Sequence, residues 1–594
     1  MRRPSWRWAL AVALVLAALV AALMVWRGSQ GSTAGTSGTG VTIADIDPEG
    51  VTALSGQADG QADDDSPDTD DATMPGSSQM ALLASRLEPQ AIDDDYRTGY
   101  EVLVYSFCDS DGNGIGDLAG LTSELDYISG EDGLCADELW VLPIFSSPTY
   151  HKYDVASFED VDEDYGTLAD FTSLADACHE RGVRLILDLP LNHTSVEHPW
   201  FTAAADYLRA LPEGAEPNTD DCPYVGYYNF SREAQDGYAQ LAGTSWYYEA
   251  RFWEGMPDLN LASDAVRDEI ARIVELWLDR GADGFRLDAV TSYFTGDDDA
   301  NIAFLAWLSG VVRAADEDAY LVGEAWEAQD TYARYYESGI DSLFDFAFAG
   351  SWGTVHEAVM GNMRGWNLAV AYASEEALYA EHSAVAGTVA VNAPFYTNHD
   401  MDRNASYYED EGQVKLALAL NLLGTGNAFV YYGEELGMPG AADDAARRAA
   451  MAWGDGADGM CDGPEGSVGQ ELAYGTLADQ QGMAGSVYEY VRCALRIRRS
   501  LPALARGTTT VVDGLSGDDV GAFVRSCADG EWQDVLVVIN LSAEPREVSL
   551  AGDAKADGFG TLVAVLCVGE DDEVTLDGQT LTLPGRGIAL LVKA

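Results

Sequence analysis

Three carboxylates each close a short apolar run: Asp288 in GFRLDAV, Glu324 in LVGEAW and Asp400 in FYTNHD. Each run has the length of a buried strand, and each acid stands where apolar residues give way to polar loop chemistry. Side chains two residues apart on a strand share a face, so Arg286 projects on the side of Asp288, where a guanidinium favours the ionised carboxylate. One acid on its own at a strand end is more often a helix cap or a surface group. Three in this company suggest the carboxylate set that breaks a glycosidic bond.

The elements that must position these acids are legible as eight apolar runs: EVLVYSF (101–107), LWVLPIF (139–145), VRLILDLP (183–190), ADGFRLD (282–288), AYLVGEAW (319–326), DSLFDFAF (341–348), APFYTNHD (393–400) and AFVYYGEE (428–435). Amphipathic stretches such as AVRDEIARIVELWLDRG separate them, the pattern of an α/β protein built as a (β/α)8 barrel, whose active site lies at the C-terminal strand ends. The gap after the third run is too long for one helix and holds a Tyr-, Trp- and Gly-rich stretch, about 194–260, expected as a small inserted domain. A catalytic barrel is expected over 95–500. From 501 to 594, short alternating runs with Gly/Asp turns predict an antiparallel β-sandwich.

The 594 residues allow a barrel of about 250 residues plus further domains. The chain carries 99 acidic against 33 basic residues, a formal charge of -66, and only four lysines, Lys152, Lys415, Lys555 and Lys593. This balance argues against nucleic acid or anionic lipid as a partner of the folded part. At the N-terminus Arg2, Arg3 and Arg7 precede an apolar run from Ala9 to Trp26. Residues 1–27 are therefore expected to be a membrane anchor or a signal segment, either of which places the remainder outside the cell and limits membrane contact to this segment. Residues 28–94, rich in Gly, Ser and Asp, are expected as a disordered linker. Eight scattered cysteines lack CxxC spacing, which disfavours zinc; Cys108 and Cys135, at opposite ends of a barrel, should not pair.

DSDGNGIGDL (109–118) is a second chemical signal. The oxygen-bearing Asp109, Asp111, Asn113 and Asp117 alternate with glycines as a loop for a hard cation requires, without the twelfth-position glutamate or flanking helices of an EF-hand.

The chain from about Tyr100 onward resembles glycoside hydrolase family 13, the α-amylase family. DLPLNH (188–193), MPDLN (256–260), GFRLDAV (284–290), GEAW (323–326) and TNHD (397–400) look like five of its conserved regions in the family's order. The resemblance implies that Asp288 is the nucleophile, Glu324 the general acid and base, and Asp400 the transition-state stabiliser of a retaining mechanism. It further implies that Arg286 belongs to the substrate-binding set and that His193 and His399 bind the sugar at the cleaved end. YHKYDVASF (150–158) resembles the family's second-loop string, usually with Gly at the place of Lys152; Tyr153 would stack on the sugar and Asp154 bind its hydroxyls. RRAAMAW (447–453) resembles the string after the eighth strand and offers Arg448 as a further sugar contact.

By the same resemblance the 109–117 loop is the metal loop of the α-glucosidase-like members, with Ile115 adding its carbonyl. Structural Ca2+ is expected, Mg2+ is the alternative, and no organic cofactor is called for. Asn192 could belong to a second calcium site of the family. MPDLN places the chain in the intermediate group between oligo-1,6-glucosidases and neopullulanases, and Ala289, where α-1,6-specific members often carry Val, leans toward α-1,4 bonds. The expected activity is extracellular, retaining hydrolysis of α-1,4 bonds in starch or maltooligosaccharides. An exo-acting α-glucosidase or oligo-1,6-glucosidase is the near alternative, and a non-catalytic amylase-like ectodomain of a membrane complex the remote one.

Overall fold

The computed structural model describes residues 78–593 apart from 93, 468–470, 529 and 552. The anchor or signal expected at 1–27 and most of the linker expected over 28–94 lie outside the described residues. Among the described residues no helix is long and apolar enough to cross a membrane. The linker boundary is corrected from Ser78 onward. Gln79–Ala84 form a helix whose first turn is capped by the Ser78 hydroxyl, accepting from the Ala81 N–H. Met80 and Ala84, four apart and so on one face, are buried. The Gln79 side chain exchanges two hydrogen bonds with the backbone of Val574, tying this segment to the C-terminal part.

Seven parallel strands form one sheet with neighbours in the order Ser342–Leu343, Tyr320–Gly323, Gly284–Leu287, Arg184–Leu189, Glu138–Val141, Thr98–Val102 and Ala428–Tyr431. An extended segment at 393–395 closes it into a barrel through parallel bridges from Phe344 to Ala393 and from Phe395 to Phe429. This seventh position of the barrel is shorter than the expected run 393–400. Pro394 has no N–H to donate, and the Asn398 side chain turns the chain by accepting the Asp400 N–H at 3.0 Å. The first strand is likewise shorter than its apolar run, because Val104–Phe107 wind into a helical turn. Phe107 stays buried there, edge-on to Trp453 at 5.1 Å and to Tyr432 at 6.1 Å.

Helices cover the barrel with the expected apolar stripes. Asp264–Leu278 buries Val266, Ile270, Ile273, Val274 and Trp277, a spacing of three and four that turns one face inward. Leu168–Glu180 starts with a reciprocal capping box between Thr167 and Asp170. After the third strand the chain forms helix Pro199–Ala210 and a three-stranded antiparallel sheet of Phe230–Ser231, Tyr247–Glu249 and Tyr238–Gln240. It then returns through bridges from His193 to Asp258 and from Tyr228 to Leu259. From Thr508 an antiparallel sheet of five strands and another of three make up the C-terminal part. Arg525, fully buried, ties it to the barrel by donating to the carbonyls of Leu423 and Leu504, while Arg498, buried in the last barrel helix Val487–Ser500, donates to those of Leu422, Gly424 and Gly426. The carbonyls from Leu422 to Gly426 lie at and just beyond the C-terminal end of helix Glu411–Leu422, which would otherwise leave acceptors unpaired.

Candidate active site

Strand register brings the acids together. Leu287 pairs with Gly323, so the next residues on adjacent strands, Asp288 and Glu324, emerge side by side at the C-terminal end of the barrel. Arg286 pairs in register with Asp188 of the third strand, and its guanidinium is entirely buried among three carboxylates. Nη1 donates to Asp188 at 2.8 and 2.9 Å and to Asp288 Oδ1 at 2.7 Å, while Nη2 lies 2.9 Å from Glu324 Oε2. Arg286 therefore holds the acids from behind; it does not line the cleft, which corrects its expected role as a sugar contact.

The acids differ in proton affinity. Burial pushes the Glu324 carboxyl up; Arg286 opposes this, and the negative Asp288 and Asp400 add to it, leaving Glu324 at about 7. Burial would also raise Asp400, but His399 and then Arg448 hold it well below the usual carboxylate range. Its Oδ2 is 3.0 Å from His399 Nε2, and its Oδ1 accepts from Arg448 Nη2 at 2.7 Å. His399 itself, lowered by burial, is carried up to about 9 by Asp400 and Glu101, whose Oε1 lies 2.6 Å from Nδ1. A carboxyl poised to donate a proton beside an ion-paired carboxylate is the equipment of acid-assisted displacement at an acetal carbon.

The cleft has a volume of about 630 Å³ and is lined by Asp288, Glu324, Asp400, Tyr153, His193 and Arg448, together with several residues not singled out from the sequence. His193 presents two ring nitrogens with no protein partner, buried and free for a ligand. Tyr153 stacks on the His399 ring at 5.5 Å and 14°, and its hydroxyl contacts Asp188 at 2.9 Å and His399 Nε2 at 2.8 Å. Two expected sugar contacts lie elsewhere. The Asp154 carboxylate is buried behind the loop, accepting from the hydroxyls of Ser147 and Thr149, and His399 is fully buried with both nitrogens engaged.

The residues missed include His151, Phe252, Trp253, Trp326, Glu327, Thr291, Ser292 and Asp444, all on the cleft wall. Phe252, Trp253 and Trp326 are about half exposed; Phe252 rests on His193 at 5.1 Å, and Trp326 stacks on Phe346 at 5.0 Å. Exposed aromatics beside buried acids suit flat, weakly polar sugar faces. The signal available for Asp188 was its place in the third apolar run, and for Phe252 and Trp253 only the aromatic richness of 194–260.

In the loop after the first strand, carboxylate oxygens of Asp109, Asp111 and Asp117 lie within 4.8 Å of one another. That spacing matches oxygens placed around one hard cation at about 2.3–2.6 Å each. The Asn113 side chain accepts from the Ile115 N–H at 2.7 Å. Asn192 donates to Asp258 Oδ1 at 3.2 Å. All eight cysteines are free thiols, Cys108 and Cys135 among them.

A barrel that gathers carboxylates of unequal proton affinity in an aromatic-walled cleft defines the class: a glycoside hydrolase acting on O-glycosyl bonds. The family description "Alpha amylase, catalytic domain" matches residues 101–507, and the chain belongs to that family. Alpha-amylase 3 of Dictyoglomus thermophilum is 36% identical over 359 residues, 60% of this chain and 67% of that protein. The trehalose synthase/amylase TreS of Mycobacterium tuberculosis is 30% identical over 555 residues, 82% of this chain and 88% of that protein. Among solved structures, Eubacterium rectale Amy13B superposes with a TM-score of 0.82 at 43% identity, covering 87% of this chain and 99% of that one.

Proposed function

We propose that the protein is an extracellular, retaining, endo-acting hydrolase of α-1,4-glucosidic bonds in starch or maltooligosaccharides. The observation that carries this reading is the single guanidinium of Arg286 touching both Asp288, at 2.7 Å, and Glu324, at 2.9 Å. Asp288, ion-paired, attacks the anomeric carbon as Glu324 gives its proton to the leaving oxygen, forming a covalent glycosyl-enzyme. Glu324, now ionised, takes a proton from water, which attacks the same carbon and restores both acids. Asp400, kept charged by His399 and Arg448, binds hydroxyls of the distorted sugar and offsets the positive charge of the transition state. Tyr153 stacks on that sugar, and His193 donates to it.

The half-exposed Phe252, Trp253 and Trp326 favour endo action, since they extend the binding surface beyond the acids. Ala289 favours α-1,4 over α-1,6 bonds. The intact acid set argues against a non-catalytic ectodomain. Export is supported by the arginine-flanked apolar run at the N-terminus. Structural Ca2+ is assigned to Asp109, Asp111, Asn113, the Ile115 carbonyl and Asp117, where its charge offsets the clustered carboxylates; Mg2+ is the alternative ion. The products from a long maltooligosaccharide test the reading. Mixed short oligomers are expected; glucose alone would replace it with an exo-acting α-glucosidase, and turnover of isomaltose in preference to maltotriose with an oligo-1,6-glucosidase.

A further inference from the structure

The loop that brings His151 and Tyr153 to the cleft hangs between two short antiparallel strands, Phe145–Ser146 and Ser157–Val161. Between those two residues stands Lys152, with a left-handed φ of 63°. A residue with a side chain adopts that conformation at a cost, which glycine avoids. The neighbours of Lys152 line the cleft while its own side chain, 3% exposed, runs the other way. Its ammonium lies 2.9 Å from Asp162 Oδ1 and 3.3 Å from Asp164 Oδ2. Asp162 Oδ2 also accepts the N–H of Ser147 at 2.9 Å, and the Asp162 N–H donates to the Ile144 carbonyl at 2.8 Å. One buried carboxylate thus holds both the root of the loop, at Ser147, and its tip.

What the tip carries is exacting. The Tyr153 hydroxyl must meet Asp188 and His399 at the same time, while its ring lies parallel to the His399 imidazole. His151 Nδ1 accepts the Tyr153 N–H at 3.2 Å, so the two cleft residues move together. We infer that Lys152, paired with Asp162, is a positioning residue: a buried ion pair that locks the left-handed tip and fixes His151 and Tyr153 against the reacting sugar. The inference rests on Tyr153 being the sugar platform of the proposed hydrolase. It explains why a side chain is tolerated where glycine would fold more easily, because the ammonium supplies an anchor that glycine lacks.

The test uses the full chain with Lys152→Met, Lys152→Gly and Lys152→Arg. Lys152→Met keeps the stem and loses the charge; Lys152→Gly loses both but relieves the backbone; Lys152→Arg keeps the charge. The first two are expected to lower kcat/KM on a maltooligosaccharide by about 10- to 100-fold, with kcat falling as well as KM rising, since misplacement by about 1 Å costs on that scale. Lys152→Arg should stay within a few-fold of the parent. Hydrogen exchange over residues 147–156 should rise in the Met and Gly variants and stay unchanged elsewhere. That second readout decides the loop's anchoring even if the parent fails to cleave glucan, an outcome that would instead sink the proposed activity. Lys152→Met and Lys152→Gly within two-fold of the parent in kcat/KM, or with parental exchange over 147–156, would overturn the inference.

Discussion

The backbone N–H of Ala289 donates to Oε2 of Glu324 at 3.0 Å, and Ala289 adopts a left-handed φ of 45° as it does so. The residue after one strand-end acid thereby orients the other across the strand boundary, assisted by the Val290 N–H on the Glu324 carbonyl at 3.0 Å. A β-branched side chain tolerates positive φ poorly. Ala289→Val must either carry strain of about 1–3 kcal/mol or release the Glu324 carboxyl. Its rate on α-1,4 bonds is expected to fall several-fold, with the ratio of α-1,6 to α-1,4 cleavage raised, whereas Ala289→Gly keeps near-parental rates. Identical ratios on panose and maltotriose for all three proteins would remove this bond from the account of specificity.

Replacing either proposed reacting acid should separate folding from chemistry. Glu324→Gln keeps the shape and the contact with Arg286 but has no proton to give, and general acid–base assistance contributes about 10²- to 10⁴-fold. A loss of that size in kcat is expected, with an unchanged melting temperature near pH 5. Asp288→Asn should abolish hydrolysis altogether, because no covalent intermediate can form. Substantial residual turnover in both variants, measured on a chromogenic maltoside, would refute the assignment.

The elevated Glu324 carboxyl, as the proposed acid, should set the alkaline side of the pH profile. It is protonated, and so competent as an acid, below about 7; kcat should decline as pH rises through that value. The same shift has a stability sign. A folded-state pKa above the unfolded value near 4.5 means that the protonated group favours the fold, a contribution complete below about 4.5 and lost as pH rises through about 7. Glu324→Gln should accordingly melt higher than the parent at pH 8, with the gap closing toward pH 5. Asp400, held ionised by His399 and Arg448, should not titrate within the working range. A gap in melting temperature that is the same at pH 5 and pH 8 would contradict this linkage.

Periodicity and spacing located Asp288, Glu324, Asp400 and Arg286 because side-chain alternation along a strand is a local property: two residues apart means one face. The family resemblance placed His399 and Asp154 on the cleft, yet both face inward, His399 to Glu101 and Asp400, Asp154 to Ser147 and Thr149. His399 turns to Glu101, 298 positions away in the chain, and Asp154 to donor hydroxyls five and seven residues back in its own loop; alternation along one strand shows neither. Phe252 and Trp253 were not legible for the same reason. They reach the cleft only because the inserted domain folds back through the His193–Asp258 and Tyr228–Leu259 bridges. Strand ends were overestimated where apolar residues such as Phe107 continue into a buried helical turn and extend the hydrophobic pattern beyond the ladder.

The loop over 109–117 offers a test in which two sources of order compete. Asp109 accepts the N–H groups of Asp111, Gly112 and Gly114 at 3.0, 2.7 and 2.7 Å, and the loop is pinned from outside by Asp109 N–H on the Gly459 carbonyl and by Asp462 N–H on the Gly114 carbonyl. These bonds could hold the loop alone, but they leave three carboxylates converging within 4.8 Å. Like charges at that range repel, and a bound divalent cation reverses the sign of the interaction. Chelation should therefore lower the melting temperature and excess Ca2+ restore it; saturation at 100 times Kd stabilises the fold by about 2.7 kcal/mol. Asp111→Ala, at an exposed member of the cluster, should melt at one temperature with and without Ca2+ while retaining the fold. A parent chain whose melting temperature ignores both chelator and Ca2+ would show that the backbone hydrogen bonds suffice, and the cation assignment would fall.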